Sequence, residues 1–228
     1  MIIEFKSVDE MTFEVSEKPY PASKLIPDWW KNSQSSFRHP NDENFNVSTF
    51  KRCMPILDVL SAGYIIPLHA DIEVISNKDN PLVRWSYYKP VVEQHLEGKV
   101  NELEIPDGYS QSIFKYSNSW IIKTPPGYSA LITHPFGYKN LPFYSYSGVV
   151  DSDTYHGDIN TPFSLKKDFS GLIPKGTPMM QVIPFKREDW KSEITKGTGF
   201  ETYSVGNILT SKLHSGYKKM FRKPKSYL

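Results

Sequence analysis

The chain has 228 residues, of which 39% are hydrophobic and 14% aromatic, and its formal net charge is +2. This composition excludes a disordered chain and suffices for one domain with a sizeable core. Cys53 is the only cysteine, which excludes an intrachain disulfide and a zinc site built from cysteines. No apolar run approaches the roughly 20 residues that span a bilayer, so we expect no membrane contact.

Residues 1–52 have the character of an N-terminal arm. The first segment, MIIEFKSV, alternates and predicts an edge strand. Three prolines follow, and then DWWKNSQSSF predicts one or two helical turns with Asp28 as N-cap. We expect Trp29 and Trp30 to pack this arm onto the body of the protein.

Residues 53–204 contain short apolar runs rich in Ile, Val, Tyr and Phe, separated by turn signals such as PPG, HGD and PKG. The 18 prolines are spread along the chain and argue against long helices. Only VVEQHLEGKVNEL and REDWKSEIT look helical. The pattern predicts an all-β core, either a compact barrel or a double-layer sandwich.

Residues 205–228 form a basic tail. No acidic residue follows Glu201, whereas six lysines and arginines do. The rest of the chain has 21 basic and 25 acidic residues, so its net charge is about −4. Leu209, Leu213, Tyr217 and Phe221 recur at helical spacing and predict a short amphipathic helix. The tail can dock on its own body, on a neighbouring subunit or in a larger assembly, or it can simply be solvated.

Four blocks occur in a characteristic order: SAGY at 61–64, PPGY at 125–128, GVVDSD at 148–153, and IPKG at 173–176 followed by MMQVI. Together they resemble the dUTPase and dCTP deaminase superfamily, whose fold is a strand-rich β-clip. KGTGF at 196–200 resembles the start of that family's phosphate-closing tail. The whole chain also resembles an uncharacterised family of phages and bacteria in its PASKLIPDWW, TPPGYS and QVIPFKR stretches.

The resemblance implies a nucleotide-binding protein related to dUTPases, with Mg²⁺ as cofactor if it hydrolyses nucleotides. Asp151 is then the candidate for activating the attacking water. The implied nucleotide-binding residues are Asp153, Tyr155, Gln181, Lys196, Gly197 and Gly199. The backbone N–H groups of the KGTG loop are suited to phosphate oxygens.

Three departures from the family pattern bear on activity. Pro135 and Phe136 stand where the family has an Arg-Ser pair that handles phosphates, Ile65 replaces an acidic residue, and Thr154 displaces Tyr155 by one position. Loss of the arginine removes a bidentate phosphate donor. We therefore expect triphosphate hydrolysis to be altered or lost, unless Lys139, His134 or a neighbouring subunit substitutes.

An alternative constellation is His69-Ala70-Asp71. If it lies on a strand, both side chains of this H-x-D pair face the same side, as a two-histidine, one-carboxylate Fe²⁺ site requires. His134, His156 or His214 would supply the third ligand of a 2-oxoglutarate-type oxygenase. This alternative favours a double-stranded β-helix over the β-clip.

The polar segment from Asp151 to Asp158 has two interpretations: a water-activating or metal-binding loop, or a hairpin tip whose Asp and Ser side chains form turn hydrogen bonds. A non-enzymatic role also stays open, either nucleotide capture or a structural part of a virus particle.

We expect a homo-oligomer, most simply the trimer usual in the family. The segment from His134 to Tyr146 is dense in aromatic residues, which are enriched in interface cores. The start of the chain, MIIEFKSVDE, lacks the pattern of a signal peptide, and with the single cysteine this predicts a cytoplasmic location, or a virion.

Overall fold

The structure is a computed structural model that describes residues 1–77, 80–94, 105–197, 199, 203–206 and 216–228. It places 36% of residues in strands and 18% in helices. The mainly β prediction is confirmed, and the helical share lies well below the one third that would contradict it.

The elements are short, as expected for a chain with many prolines. The strands are β1 (Glu4–Ser7), β2 (Tyr20–Pro21), β3 (Ser36–His39), β4 (Asp42–Ser48), β5 (Tyr64–Pro67), β6 (Ile72–Ile75), β7 (Leu82–Trp85), β8 (Val92–Gln94), β9 (Tyr109–Ser117), β10 (Trp120–Lys123), β11 (Tyr128–Thr133), β12 (Phe143–Ser145), β13 (Gly148–Val150), β14 (Asn160–Lys166), β15 (Gly171–Ile173) and β16 (Pro178–Lys186). The helices are α1 (Glu10–Val15), α2 (Asp28–Asn32), α3 (Met54–Leu60) and α4 (Gly216–Met220). Single 3-10 turns cover Ala22–Leu25 and Phe50–Arg52.

Two larger sheets organise the fold. One has the order β13-β11-β16-β5-β2 and the other β12-β14-β9-β8. Smaller sheets join β15-β6-β7, β1-β10 and β3-β4, and across the described residues every sheet is open rather than closed into a barrel. Side chains from both larger sheets, among them Val182, Ile132, Phe143 and Phe163, share one buried core.

The N-terminal residues join the sheets of the body. The predicted edge strand is β1, which pairs antiparallel with β10, with Glu4 opposite Lys123 and Ser7 opposite Trp120. Strand β2 extends the five-stranded sheet beside β5. Trp30 is buried, as expected for a residue that packs the first segment onto the body. The boundaries 1–52, 53–204 and 205–228 remain predictions.

Several local expectations are wrong. Residues 54–60 form helix α3, with Pro55 in its first turn, where a missing N–H costs nothing. Pro27, not Asp28, occupies the N-cap of α2, and Asp28 is its first residue. The segment VVEQHLEGKVNEL begins as strand β8 because it pairs with β9, and its residues 95–103 lie outside the described residues. The segment REDWKSEIT is not helical.

The expected short C-terminal helix is α4, where the rings of Tyr217 and Phe221 stack at 6.5 Å between centroids. Leu209 and Leu213 lie outside the described residues. The end of the tail contacts the chain's own body: Arg222 donates from Nε and Nη2 to Asp58 Oδ1 at 3.0 and 2.6 Å, and Lys225 Nζ lies 2.9 Å from Asp58 Oδ2. The aromatic ring of Tyr227 packs edge-on against Tyr64.

Gly63, in the first block, has a positive φ of 68° and lies against β16. A Cβ at this position would lie 1.9 Å from the carbonyl oxygen of Val182, so no other residue fits without moving the strand. The close approach lets Gly63 O accept the N–H of Ala22 at 2.9 Å. Gly63 therefore ties the start of β5 to both β16 and the N-terminal segment.

None of the helices in the described part of the chain combines the length and apolar character that crossing a bilayer requires.

Candidate functional site

The third block and the end of β16 converge on the start of β11. Strand β11 pairs with both β13 and β16, so that Ala130 lies opposite Val150 on one side and Pro184 on the other. Asp151 directly follows β13, and Arg187 directly follows β16. The sheet therefore brings residues that are distant in sequence to one corner, here called the Asp–Arg cluster: Asp151, Asp153 and Arg187 with Ser129 and Gly127.

Within this cluster Arg187 holds Asp153 in a bidentate ion pair. Nη1 lies 2.8 Å from Oδ1 and Nη2 lies 2.5 Å from Oδ2. The backbone N–H of Gly127 donates to Oδ2 at 2.8 Å. The guanidinium and then this N–H lower the pKa of Asp153 to about 2. A carboxylate held in this way is a weak base and a structural anchor for the Pro-Pro-Gly turn.

Asp151 is more accessible, with 62% of its side chain exposed. Its Oδ1 accepts the hydroxyl of Ser129 at 2.6 Å and lies 3.3 Å from Nη1 of Arg187. Of the two carboxylates in this cluster, Asp151 is thus the one that a ligand or a water can approach.

Tyr155 folds back on its own loop. Its hydroxyl donates to the carbonyl of Asp158 at 3.1 Å, and half of the residue is exposed. The ring of His156 contacts the carbonyl of Asp153 at 3.1 Å through Nε2. These contacts are those of a compact polar turn, which is the second of the two interpretations that the sequence left open.

Gln181 is buried inside the five-stranded sheet, with 1% of its surface exposed. Its Nε2 donates to the carbonyls of Ala62 and Val59 at 2.6 and 3.2 Å, and its Oε1 accepts the N–H of Phe136 at 3.0 Å. Gln181 therefore joins the first block to the loop that follows β11.

Lys196, Gly197 and Gly199 lie beyond β16 in an exposed segment, and a Cβ at either glycine would meet nothing within 4 Å. Thr198 and Phe200 of the same block lie outside the described residues. The structure does not bring these three residues to the Asp–Arg cluster by any contact.

The H-x-D pair does not lie on a strand. Residues 68–71 form the bend between β5 and β6, where His69 is 4% exposed and Asp71 faces solvent. His69 Nδ1 lies 2.8 Å from the hydroxyl of Tyr116, whereas Asp71 Oδ1 accepts the N–H of Lys175 at 2.6 Å. Across the described part of the chain no three His, Cys, Asp or Glu side chains are placed to hold a metal ion. Within the described residues, His69 and Asp71 therefore do not form the two-histidine, one-carboxylate arrangement. His214, one of the candidates for the third ligand, lies outside the described residues.

A cavity lined by described residues lies at the other end of β11. It has a volume of about 640 Å³ and is here called the aromatic pocket. Its lining residues are Trp29, Tyr109, Thr133, His134, Pro135, Phe136, Gly137, Tyr138, Lys139, Asn140 and Tyr144. Pro135 and Phe136, which the sequence singled out, therefore form part of its wall.

The loop from His134 to Asn140 is held in place by the N-terminal segment. Trp29 Nε1 donates to the carbonyl of Gly137 at 2.8 Å, and the hydroxyl of Tyr138 donates to the carbonyl of Leu25 at 2.8 Å. Gly137 has a φ of 83°, and a Cβ there would lie 2.8 Å from Leu60 Cδ2. The pocket thus depends on residues from the arm as well as from the core.

The imidazole ring of His134 lines this pocket in its neutral form. Its Nδ1 accepts the N–H of Ser145 at 3.3 Å, so the proton resides on Nε2, which lies 3.0 Å from the carbonyl of Tyr138. Burial lowers the pKa of His134. Its ring stacks on Tyr144 with centroids 5.3 Å apart. Lys139 is then the one charged side chain among the residues that line the pocket.

The Asp–Arg cluster and the aromatic pocket are separate on one chain. Ser129, which contacts Asp151, and Thr133, which lines the pocket, are four residues apart on β11, or about 13 Å at the usual rise of a strand.

The sequence indicated the density of aromatic residues in this region but assigned them to an interface. The sequence also singled out Trp29, as a residue that packs the arm onto the body, but it did not indicate that Trp29 lines a pocket with residues about 100 positions away.

No protein-family model matches the chain, and no curated protein matches it. Solved phage dUTPases are similar to it in structure at low identity. A mutant of the dUTPase from phage phi11 of S. aureus aligns over 88% of this chain and 99% of that one, with 13% identity and a TM-score of 0.39. A mutant dUTPase of Staphylococcus bacteriophage 80alpha with dUpNHpp aligns over 88% and 90%, with 14% identity and a TM-score of 0.40. At such low sequence identity and TM-score, the chemistry of this chain depends on its own residues.

Proposed function

We propose that this protein binds nucleotides on a diverged, dUTPase-like β-clip scaffold, and that triphosphate hydrolysis is altered or lost in it. The four ordered sequence blocks support the scaffold. The observation that carries the binding function is the aromatic pocket, whose wall is built mainly by the loop that follows β11.

The pocket suits a nucleotide in size and chemistry. Its volume of about 640 Å³ falls within the roughly 300–1,000 Å³ typical of small-molecule sites. Tyr144 and Trp29 offer aromatic surface, and aromatic rings stack on nucleobases. Asn140 is exposed and adds an amide that can both donate to and accept from a base edge, while Lys139 supplies one positive charge.

The same geometry supports the proposal that hydrolysis is altered or lost. A general base must lie within hydrogen-bond reach of the water that it activates. Asp151 contacts Ser129, which lies about 13 Å along β11 from Thr133 in the pocket wall on the same chain, and Asp153 is paired with Arg187. The described residues that line the pocket include no carboxylate that would hold Mg²⁺. The oxygenase alternative is not proposed, since His69 and Asp71 do not share a site.

We also propose that the protein is a homo-oligomer, with a trimer as the favoured state. In such an oligomer, Asp151 of a neighbouring subunit can approach the pocket. A structural role in a virus particle is the remaining alternative, and absence of nucleotide binding would favour it.

Calorimetric titration of the full chain with nucleosides and nucleotides tests the proposal. Binding that is lost in Tyr144→Ala and retained in Phe37→Ala, an exposed aromatic on β3, is the expected result. A parallel assay for pyrophosphate release from dUTP with Mg²⁺ should give little or no product. Binding that Tyr144→Ala leaves unchanged would remove the pocket from the proposal.

A further inference from the structure

The number of cations and free backbone donors in the aromatic pocket restricts how many phosphate groups its ligand can carry. Each phosphate brings negative charge and several strong acceptor oxygens that need donors or cations. Resting on the proposed function, we propose that the pocket takes a nucleoside or a nucleoside monophosphate and discriminates against triphosphates.

Among the described residues, the side chains that line the pocket offer one positive charge, which is that of Lys139. His134 cannot easily supply a second charge, because Ser145 donates its N–H to Nδ1 at 3.3 Å and a proton placed there would face another donor. One lysine is suited to one phosphate group at the mouth of the pocket.

The backbone of the loop does not compensate for the missing cations. A run of free N–H groups makes an anion-binding concavity. Here Pro135 has no N–H, the N–H of Phe136 is taken by Gln181 at 3.0 Å, and the N–H of Tyr138 donates to the carbonyl of Pro135 at 3.2 Å. Pro135, Phe136 and Tyr138 therefore have no N–H left for a chain of phosphates.

The aromatic surface, in contrast, is extensive. The Tyr144 ring stacks on His134 and meets Tyr109 and Tyr146 edge-on. Aromatic residues fixed by their neighbours lose little entropy when a planar ring stacks on them. Affinity is expected to come from the base rather than from phosphates, as in stacking-dominated sites.

Titration calorimetry with two matched series tests this inference: deoxyuridine, dUMP and dUpNHpp, and adenosine, AMP and a non-hydrolysable ATP analogue. In the series that binds, we expect the monophosphate to bind at least as tightly as the triphosphate analogue. Lys139→Ala should weaken monophosphate binding about fivefold and leave nucleoside binding unchanged, as for an exposed charge pair. Lys6→Ala, an exposed lysine on β1, is the matched control and should change neither.

The outcomes separate the two proposals. A triphosphate analogue that binds tenfold more tightly than the monophosphate would overturn this inference and leave nucleotide binding intact. An unchanged monophosphate affinity in Lys139→Ala would also overturn it. If no member of either series binds, the proposed function itself fails and this inference with it.

Discussion

The side-chain oxygen of Gln181 accepts a hydrogen bond from the backbone N–H of Phe136 at 3.0 Å. Through Nε2 the same side chain reaches the carbonyl of Ala62 at 2.6 Å. One buried amide thus connects β16, the end of helix α3 and the loop that forms the aromatic pocket. Neither Gln181 nor Phe136 needs to touch a ligand for this contact to shape the pocket.

Gln181→Leu should destabilise the protein and distort the pocket. The substitution leaves the N–H of Phe136 and the carbonyl of Ala62 without their buried partner, which predicts a loss of about 3 kcal/mol in the free energy of unfolding. Urea denaturation measures it. Gln34→Leu, at an exposed position, is the control and should change stability by less than about 0.5 kcal/mol. Equal stability of the two variants would contradict a structural role for Gln181.

Stability should fall between pH 6.5 and about 4 because of His69. Burial, followed by the nearby charge of Lys175, lowers the pKa of His69 from 6.5 to about 4. In this range the unfolded chain binds a proton that the folded chain does not, so the free energy of unfolding decreases as the pH drops and is unaffected by this group above 6.5. The expected loss from this group is about 3 kcal/mol by pH 4.

Denaturation at pH 7 and pH 4.5 checks the contribution of His69. His69→Asn removes the titrating ring, and the pH dependence should become shallower than in the parent protein. The control is His156→Asn, at an exposed position, and it should keep the parent's slope. An unchanged slope in His69→Asn would show that other groups dominate; His134, whose pKa is also lowered, is the first candidate.

Arg187→Met should release Asp153. With the guanidinium gone, the pKa of Asp153 should rise from about 2 towards its ordinary value of 3.8. Since the ion pair stabilises the fold above that ordinary value and is lost as the pH falls towards 2, the variant should have a lower thermal midpoint at pH 7. Carboxyl NMR titration measures the pKa. Arg38→Met, an exposed position on β3, should alter neither quantity.

Asp58→Asn should detach the end of the tail. Arg222 and Lys225 both contact this carboxylate, and the hydrogen bond from Arg222 is the main cause of its lowered pKa. Losing a charged partner predicts about a tenfold faster trypsin cleavage after Arg222 and Lys225. Asp28→Asn, whose side chain is 85% exposed, should leave the rate unchanged. Equal rates in all three proteins would mean that this contact does not retain the tail.

Light scattering tests the oligomer. We expect a mass of about three times the 26.3 kDa of one chain at micromolar concentration. A mass near 26.3 kDa would contradict both the trimer and an intersubunit position of Asp151. If only a form truncated after Gly206 is monomeric, the tail is the cause of assembly.

The local sequence predicted the structure correctly where a strand or turn depends on residues close to it in the chain. The alternation of MIIEFKSV predicted β1, and the short β-branched and aromatic runs between turn signals predicted a mainly β chain. The short helix in the tail is also present as α4. These features depend on neighbours one to four residues away, so the chain itself carries the information.

Local pattern failed where a distant partner decided the outcome. The segment VVEQHLEGKVNEL has a helical appearance, but its residues Val92–Gln94 form strand β8 because they pair with β9. The H-x-D pair was expected on one face of a strand, yet a bend separates its side chains, because β5 ends at Pro67. Gln181 was predicted from the resemblance as a nucleotide-binding residue, and only the fold showed that its amide hydrogen-bonds to three backbone groups.

By itself, the sequence determined the strand-rich class, the order of the four blocks and the apolar character of Pro135 and Phe136. Only the tertiary structure decided what these two residues line, because Trp29 reaches Gly137 across about 100 residues of sequence. It likewise paired Arg187 with Asp153 through the common neighbour β11. Both arrangements depend on long-range strand pairing and burial, which no local propensity encodes, since the free energy of such contacts exists only once the sheets have formed.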